Sequence, residues 1–307
     1  MDRKLIVERT LPSGKRSLVY PFHFSIKGLE SAVLCRDDED YDAFVKYIFI
    51  TALKCNVIVI IHIVVSNHAH VALLACGRED VDRYGIELKR VQSMWLNRKY
   101  GAMSILHGVN VSITAIDTVQ YARNVLAYIP KNALDNGEGS VISYRWSGCR
   151  AMFSVNDRES GKSVSVQELS TRAIERIFHT GTNLSNQRWL LNERMELEPR
   201  SACDTQYLEM IFNHDQSFFL RLIGSVNEYD IRYDEAVKII QMSDSDFMKT
   251  AEDYSAQWYG KSIQNLLPKQ KASFLKYLGT KIYLSVPQVA RCMNMERDLV
   301  RAVLNKE

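Results

Sequence analysis

The stretch that most restricts the fold is "VIVIIHIVVSNHAHVALLAC", residues 57 to 76. Two apolar, β-branched runs flank the turn pair Ser66-Asn67. Runs of this kind read as strands, and so short a link makes them antiparallel neighbours. Neither is long enough to cross ~30 Å of hydrocarbon. His68 and His70 sit two apart on the second strand, so the period-two alternation of a strand sends both rings to one face. Two readings follow. The pair is two satisfied structural histidines, or it is two neutral imidazoles sharing a divalent ion.

Around this hairpin the pattern alternates. Residues 17–28, "SLVYPFHFSIKG", read as a strand, and residues 36–54 as a helix opened by acids that suit its dipole. Residues 79–101 read as a helix ended by Gly101, 108–116 as a strand, and 117–129 as a helix capped by Asp117 or Thr118. "SVNDRESGKSVSVQ" (154–167) breaks the apolar pattern with serine, glycine and charge. From residue 168 the strand signal largely disappears. The expected organisation is an α+β first domain over 1–155 with an antiparallel sheet, a linker over 156–167, and an all-helical domain over 168–307.

Composition sets limits. The chain has 307 residues, 46% hydrophobic and 24% charged, which describes a folded soluble protein. A net charge of +3 does not by itself argue for nucleic acid. The six cysteines form no C-x-x-C pair, the usage of reduced thiols in a bacterial cytoplasm. The opening residues carry no signal peptide, and no membrane partner is expected.

A second element bears on the histidines. "NVLAYIPKNAL" (124–134) places Tyr128 and Asn132 four apart, on one face if the helix continues. A tyrosine hydroxyl is a nucleophile for covalent catalysis. An amide oxygen beside two imidazoles would complete a three-donor site open to a substrate phosphate. Pro130 lies between them, and an interior proline kinks or ends a helix. If it turns Asn132 away, Gln120 or water takes its place.

These segments resemble a known family. "SNHAHVALL" resembles the "pNHvHlll" signature of the HUH single-tyrosine transposases, and "YIPKNAL" is similar to their "YIhlNPv" motif. "YPFHFSIKGLESAVLCRDDEDYDAFVKYI" and "SYRWSGCRAMF" are similar to segments of the branch associated with repetitive extragenic palindromes (REP). The resemblance spans roughly residues 17 to 155. It implies a ferredoxin-like antiparallel sheet with flanking helices and a metal-dependent single-stranded DNA endonuclease and strand transferase. Tyr128 would attack a phosphodiester, giving a 5′-phosphotyrosine and a free 3′-OH at hairpin or palindromic DNA. His68, His70 and Asn132 would hold Mg²⁺ or Mn²⁺. The chain departs from the pattern at Ala69, at Pro130 and at Asn132-Ala133, where the family has Asn-Pro. The alternative is a catalytically silent, domesticated relative that binds specific DNA as a regulator. Monomer and homodimer are both open.

Other residues have weaker signals. Lys89, Arg90, Arg98 and Lys99 crowd one helix, as a solvated face or as phosphate contacts. Tyr121, on the same helical face as Tyr128, reads as core or stacking surface in preference to a second nucleophile, His62 as a buried structural histidine, and His23 as facing either DNA or the core. Residues 285–304 have a helix-turn-helix pattern. From Lys269 onward eight basic residues face three acidic ones, leaving +5. Arg297 and Arg301, on its second helix, are candidate contacts to duplex DNA.

Overall fold

The computed structural model describes residues 1–27, 34–101, 110–137, 140–153, 163–226, 244–279 and 286–304. It divides into two compact units, Met1–Asn227 and Glu228–Glu307.

The first unit is α+β. Its strands are β1 (Val7–Thr10), β2 (Arg16–Lys27), β3 (Ile58–Val64), β4 (His68–Ala75) and β5 (Asn110–Ala115). Between them run the helices α1 (Asp38–Cys55) and α2 (Arg78–Tyr100), and α3 (Val119–Asp135) follows β5. The described strands make a five-stranded antiparallel sheet: β1, β2, β4 and β3 in order, with β5 also paired to β2. Without β1, the chain order is strand, helix, strand, strand, helix, strand, with the first and third strands central.

The ends of these helices follow from their sequences. The Asp37 carboxylate accepts from Asp40 N at the start of α1, and Thr118 Oγ1 accepts from Tyr121 N at the start of α3. Gly101 ends α2 at φ 64°, the left-handed conformation that glycine adopts without a Cβ clash. α3 runs unbroken through Pro130. The proline has no N–H for the carbonyl one turn back, yet the helix continues to Asp135 because its flanks are packed: Val125, Leu126, Ile129 and Ala133 are buried.

Alternation along β2 sorts the sheet into two faces. Phe22, Phe24 and Ile26 point one way, together with their register partners Leu73, Val71 and Ala69 on β4. α2 packs on this face. It closes most tightly at Gly85, where a Cβ would lie 3.0 Å from Phe24 Cε2. His23, Ser25 and Lys27 point the other way, beside Ala72, His70 and His68.

The sequence places a domain boundary near 156–167; residues 154–162 lie outside the described residues. The segment after them belongs to the first unit. It holds a two-stranded antiparallel sheet, β6 (Val164–Ser165) in the expected linker with β7 (Leu190–Leu191) in the region expected to be all-helical. Four helices accompany it: α4 (Thr171–Phe178), α5 (Pro199–Ala202), α6 (Thr205–Ile211) and α7 (Gln216–Ser225). The physical reason is direct bonding to the sheet and its helices. Arg9 pairs with Asp204 at 2.6 Å, Tyr207 Oη donates to Leu5 O at 3.0 Å, and Arg123 Nε donates to Ile211 O at 2.9 Å. Two-residue strands carry too little periodicity to be read from sequence.

The second unit is helical in its described residues: α8 (Asp244–Tyr259), α9 (Pro268–Gly279), α10 (Val286–Met293) and α11 (Arg297–Leu304). Phe247, Phe274, Leu275, Val289, Met293 and Val300 form its core. α10 and α11 are joined by a short turn in which Asn294 has φ 49°. Ser285, the first residue of the helix-turn-helix pattern, lies outside the described residues.

Candidate active site

β4 and α3 bring together four residues that are far apart in sequence. His68 Nε2 lies 2.9 Å from Asn132 Oδ1. The His68 and His70 rings sit edge to face with centroids 5.1 Å apart, and His70 meets the Tyr128 ring edge-on at 5.5 Å. Tyr128 and Asn132 are one turn apart on the continuous α3, so Pro130 does not turn Asn132 away from His68. The Gln120 amide donates to Asn124 Oδ1 at 3.1 Å.

The orientation of Asn132 is decided by its surroundings. Nδ2 donates to Tyr128 O at 2.9 Å and to Ile129 O at 3.3 Å. Only the nitrogen can donate, so these two carbonyls fix the amide and turn Oδ1 toward His68. Such bonding back to the preceding helical turn is normally a mild defect in a helix. Here it aims an oxygen out of α3 at β4.

The imidazoles are held from behind. His68 Nδ1 lies 2.7 Å from Asn67 Oδ1, and His70 Nδ1 lies 3.0 Å from His23 Nε2. His23 is 7% exposed, and its ring lies nearly parallel to that of His70 with centroids 5.2 Å apart. Burial pushes the His23 imidazole down to about 4, so it is neutral at physiological pH. Burial also pushes His70 well below its ordinary value, helped by the nearby His23, His68 and Lys27. Lys27 is exposed and directly opposite His68 in the strand register.

The donor set suits a divalent ion. An ion with ligands at roughly 2.1 Å places neighbouring ligand atoms about 3 Å apart, and the 2.9 Å between His68 Nε2 and Asn132 Oδ1 has that spacing. Where Asn67 Oδ1 accepts a hydrogen bond from His68 Nδ1–H, the lone pairs of His68 Nε2 and Asn132 Oδ1 face each other, an arrangement a cation relieves. Among the described residues no group of three or more His, Cys, Asp or Glu side chains forms a metal site. The set is two imidazoles and an amide oxygen.

The remaining candidates lie elsewhere. Lys89, Arg90, Arg98 and Lys99 are on α2, which packs on the opposite face of the sheet. Arg90 pairs with Glu87 at 2.7 Å, and Lys99 is shared by Asp37, Glu39 and Asp40 at 2.6 to 3.0 Å. Lys99 therefore ties α2 to the start of α1. Arg297 and Arg301 are exposed on α11 of the second unit, and Arg301 pairs with Asp298 at 3.1 Å. Tyr121 is 8% exposed, and Trp146 is in the core. His62 is buried on β3 with Phe49 edge-on to it, as expected of a structural histidine. The sequence left His23 undecided between core and DNA. Its contact with His70 depends on the β2–β4 register, which no local pattern reveals.

No family model matches the chain, and no curated protein matches it. Among solved structures, a REP-associated tyrosine transposase bound to a REP hairpin is similar, with a TM-score of 0.36 and 14% identity over 43% of this chain and 77% of that one. The likeness is distant. No helix among the described residues is long and apolar enough to cross a membrane.

Proposed function

We propose that this chain is a metal-dependent single-stranded DNA endonuclease and strand transferase, a transposase that works by tyrosine transesterification on a ferredoxin-like sheet. The observation that carries the reading is the meeting of His68, His70, Tyr128 and Asn132 at one point, from two elements about 60 residues apart in sequence.

Tyr128 is the nucleophile. Its oxygen forms a bond to the scissile phosphorus, the bond to the 3′ oxygen breaks, and the DNA is left with a 3′-OH and a 5′-phosphotyrosine. A hydroxyl later attacks the phosphotyrosine and restores the diester, so no nucleotide cofactor is consumed. The tyrosine is 7% exposed and held on a packed helix, which limits the orientations its hydroxyl can take. His68 Nε2, Asn132 Oδ1 and His70 would hold Mg²⁺ or Mn²⁺, which when bound supplies positive charge at the scissile phosphate. Two imidazoles favour Mn²⁺ over Mg²⁺, which prefers oxygen donors. Lys27 is placed to attract the DNA backbone toward His68. Residues 285–304 would add affinity for duplex DNA through Arg297 and Arg301.

The second reading is a regulator that binds hairpin DNA without cutting. The burial of Tyr128 favours it, since a nucleophile must reach its phosphate. One assay separates the two: incubation of a labelled single-stranded hairpin oligonucleotide with Mn²⁺, with Mg²⁺ and with EDTA. The enzyme reading expects nicking with either ion and none with EDTA. Retarded but intact DNA under all three conditions would leave only the regulator.

A further inference from the structure

The two histidines differ in what stands behind them. His68 Nδ1 meets the side chain of Asn67, its exposed neighbour in sequence. His70 Nδ1 meets His23 Nε2, buried and on another strand. Register explains the reach. Ser25 is directly opposite His70, and His23 is one step further along the same face of β2. Diagonal neighbours of this kind lie within reach of ring side chains. The two rings are nearly parallel, 20° apart, and with centroids 5.2 Å apart they meet end to end through this hydrogen bond.

A hydrogen bond between two neutral imidazoles has two arrangements. In one, His23 donates and His70 keeps its proton on Nε2, so His70 has no lone pair to offer. In the other, His70 Nδ1–H donates to His23 Nε2, and the lone pair of His70 Nε2 is available. We infer that His23 is a positioning residue: its Nε2 accepts a hydrogen bond from Nδ1–H of His70 and thereby fixes the ring and tautomer in which Nε2 of His70 binds the divalent ion. This rests on the metal site proposed above. It gives both histidines the same plan, with Nδ1 engaged from behind and Nε2 turned to the ion. Partners of this type tune a ligand without touching the metal. A residue that serves only as core filling would be replaceable by any side chain of similar volume.

The test uses the full chain and Mn²⁺ alone, without DNA. Long-range ¹H–¹⁵N spectra of the metal-free protein at neutral pH report which nitrogen of His70 carries the proton. We expect Nδ1. His23→Phe keeps an aromatic ring in the same place but removes the acceptor. It should release His70 to a mixture of tautomers and weaken Mn²⁺ binding by about 10- to 100-fold. His23→Gln places an amide oxygen near the lost Nε2 and should recover most of that affinity. A proton on His70 Nε2 in the wild-type protein overturns the inference, and so does unchanged Mn²⁺ affinity in a folded His23→Phe. Equal Mn²⁺ binding by wild type and His68→Ala would instead remove the metal site itself. The His70 tautomer would then still decide whether His23 accepts its hydrogen bond.

Discussion

The two faces of the five-stranded sheet are built from the same strands and do opposite things. Phe22, Phe24 and Ile26 on β2, with Ala69, Val71 and Leu73 on β4, are apolar and buried beneath α2. His23, Ser25 and Lys27, with His68 and His70, make a polar face that α3 meets with Tyr128 and Asn132. Alternation is what makes this possible: one strand feeds a dry core and a polar, histidine-bearing face without compromise between them. The prediction that follows is a clean separation. Changes on the first face should cost stability, and changes on the second should cost chemistry.

The largest expected effect is on the reactive face. Tyr128→Phe should bring covalent attachment to DNA below detection, while costing roughly 1 kcal/mol or less in stability, since one hydroxyl is lost. Denaturant melts beside a nicking gel check both halves of that statement. On the dry face, Phe24→Ala should cost ~3–5 kcal/mol by opening a cavity under Gly85. Nicking by whatever fraction remains folded should be unimpaired. If Phe24→Ala damaged the rate per folded molecule as much as Tyr128→Phe, the two faces would not be independent.

Asp40 sharpens the comparison through pH. It is fully buried and accepts from Arg36 N, Trp95 Nε1, Tyr100 Oη and Lys99 Nζ. Desolvation raises its pKa, but the combined hydrogen bonds outweigh it and hold the carboxyl below its ordinary value. A depressed carboxyl contributes stability above its unfolded pKa, ~3.9, and loses it as pH falls through the folded value. Melts between pH 7 and pH 2 should show this acid loss in the wild type and a smaller one in Asp40→Asn, which should cost about 3 kcal/mol at neutral pH.

Asn132→Ala comes next. It removes one oxygen donor that water can replace, and should weaken Mn²⁺ binding roughly tenfold while changing the denaturant melt of the metal-free protein far less than Phe24→Ala does. The smallest effect belongs to the second unit. Arg297→Ala with Arg301→Ala should lower the salt slope of DNA binding by one to two ions and leave single-turnover nicking at saturation as it was. Identical slopes would assign α11 to packing or to a partner rather than to DNA.

What could be read from the sequence was whatever local pattern decides. The hairpin of β3 and β4, the caps at Thr118 and Gly101, and the shared face of His68 and His70 all follow from spacing of a few residues. The link between Tyr128 and Asn132 was legible only conditionally, because Pro130 made the helix uncertain until the burial of its flanks was seen. Long-range register was not legible, which is why His23 went undecided. The extent of the first unit was hidden for the same reason. Nothing near Asp204 or Tyr207 announces that their partners are Arg9 and Leu5. Two residues of the basic cluster on α2, Arg90 and Lys99, show another limit. Charge could be counted in the sequence, but its commitment to Asp37, Asp40 and Glu87 could not.

The central proposal is that Tyr128 becomes joined to DNA at a site made by β4 and α3. The most direct measurement is mass spectrometry of the protein–DNA adduct formed with a 5′- and 3′-labelled hairpin oligonucleotide and Mn²⁺, digested to peptides and a residual nucleotide. The expected result is one modified peptide containing Tyr128, carrying a phosphodiester to the 5′ end of the downstream fragment and absent in EDTA and in His68→Ala. No adduct under any metal condition, or an adduct on Tyr121 with Tyr128 unmodified, would contradict it.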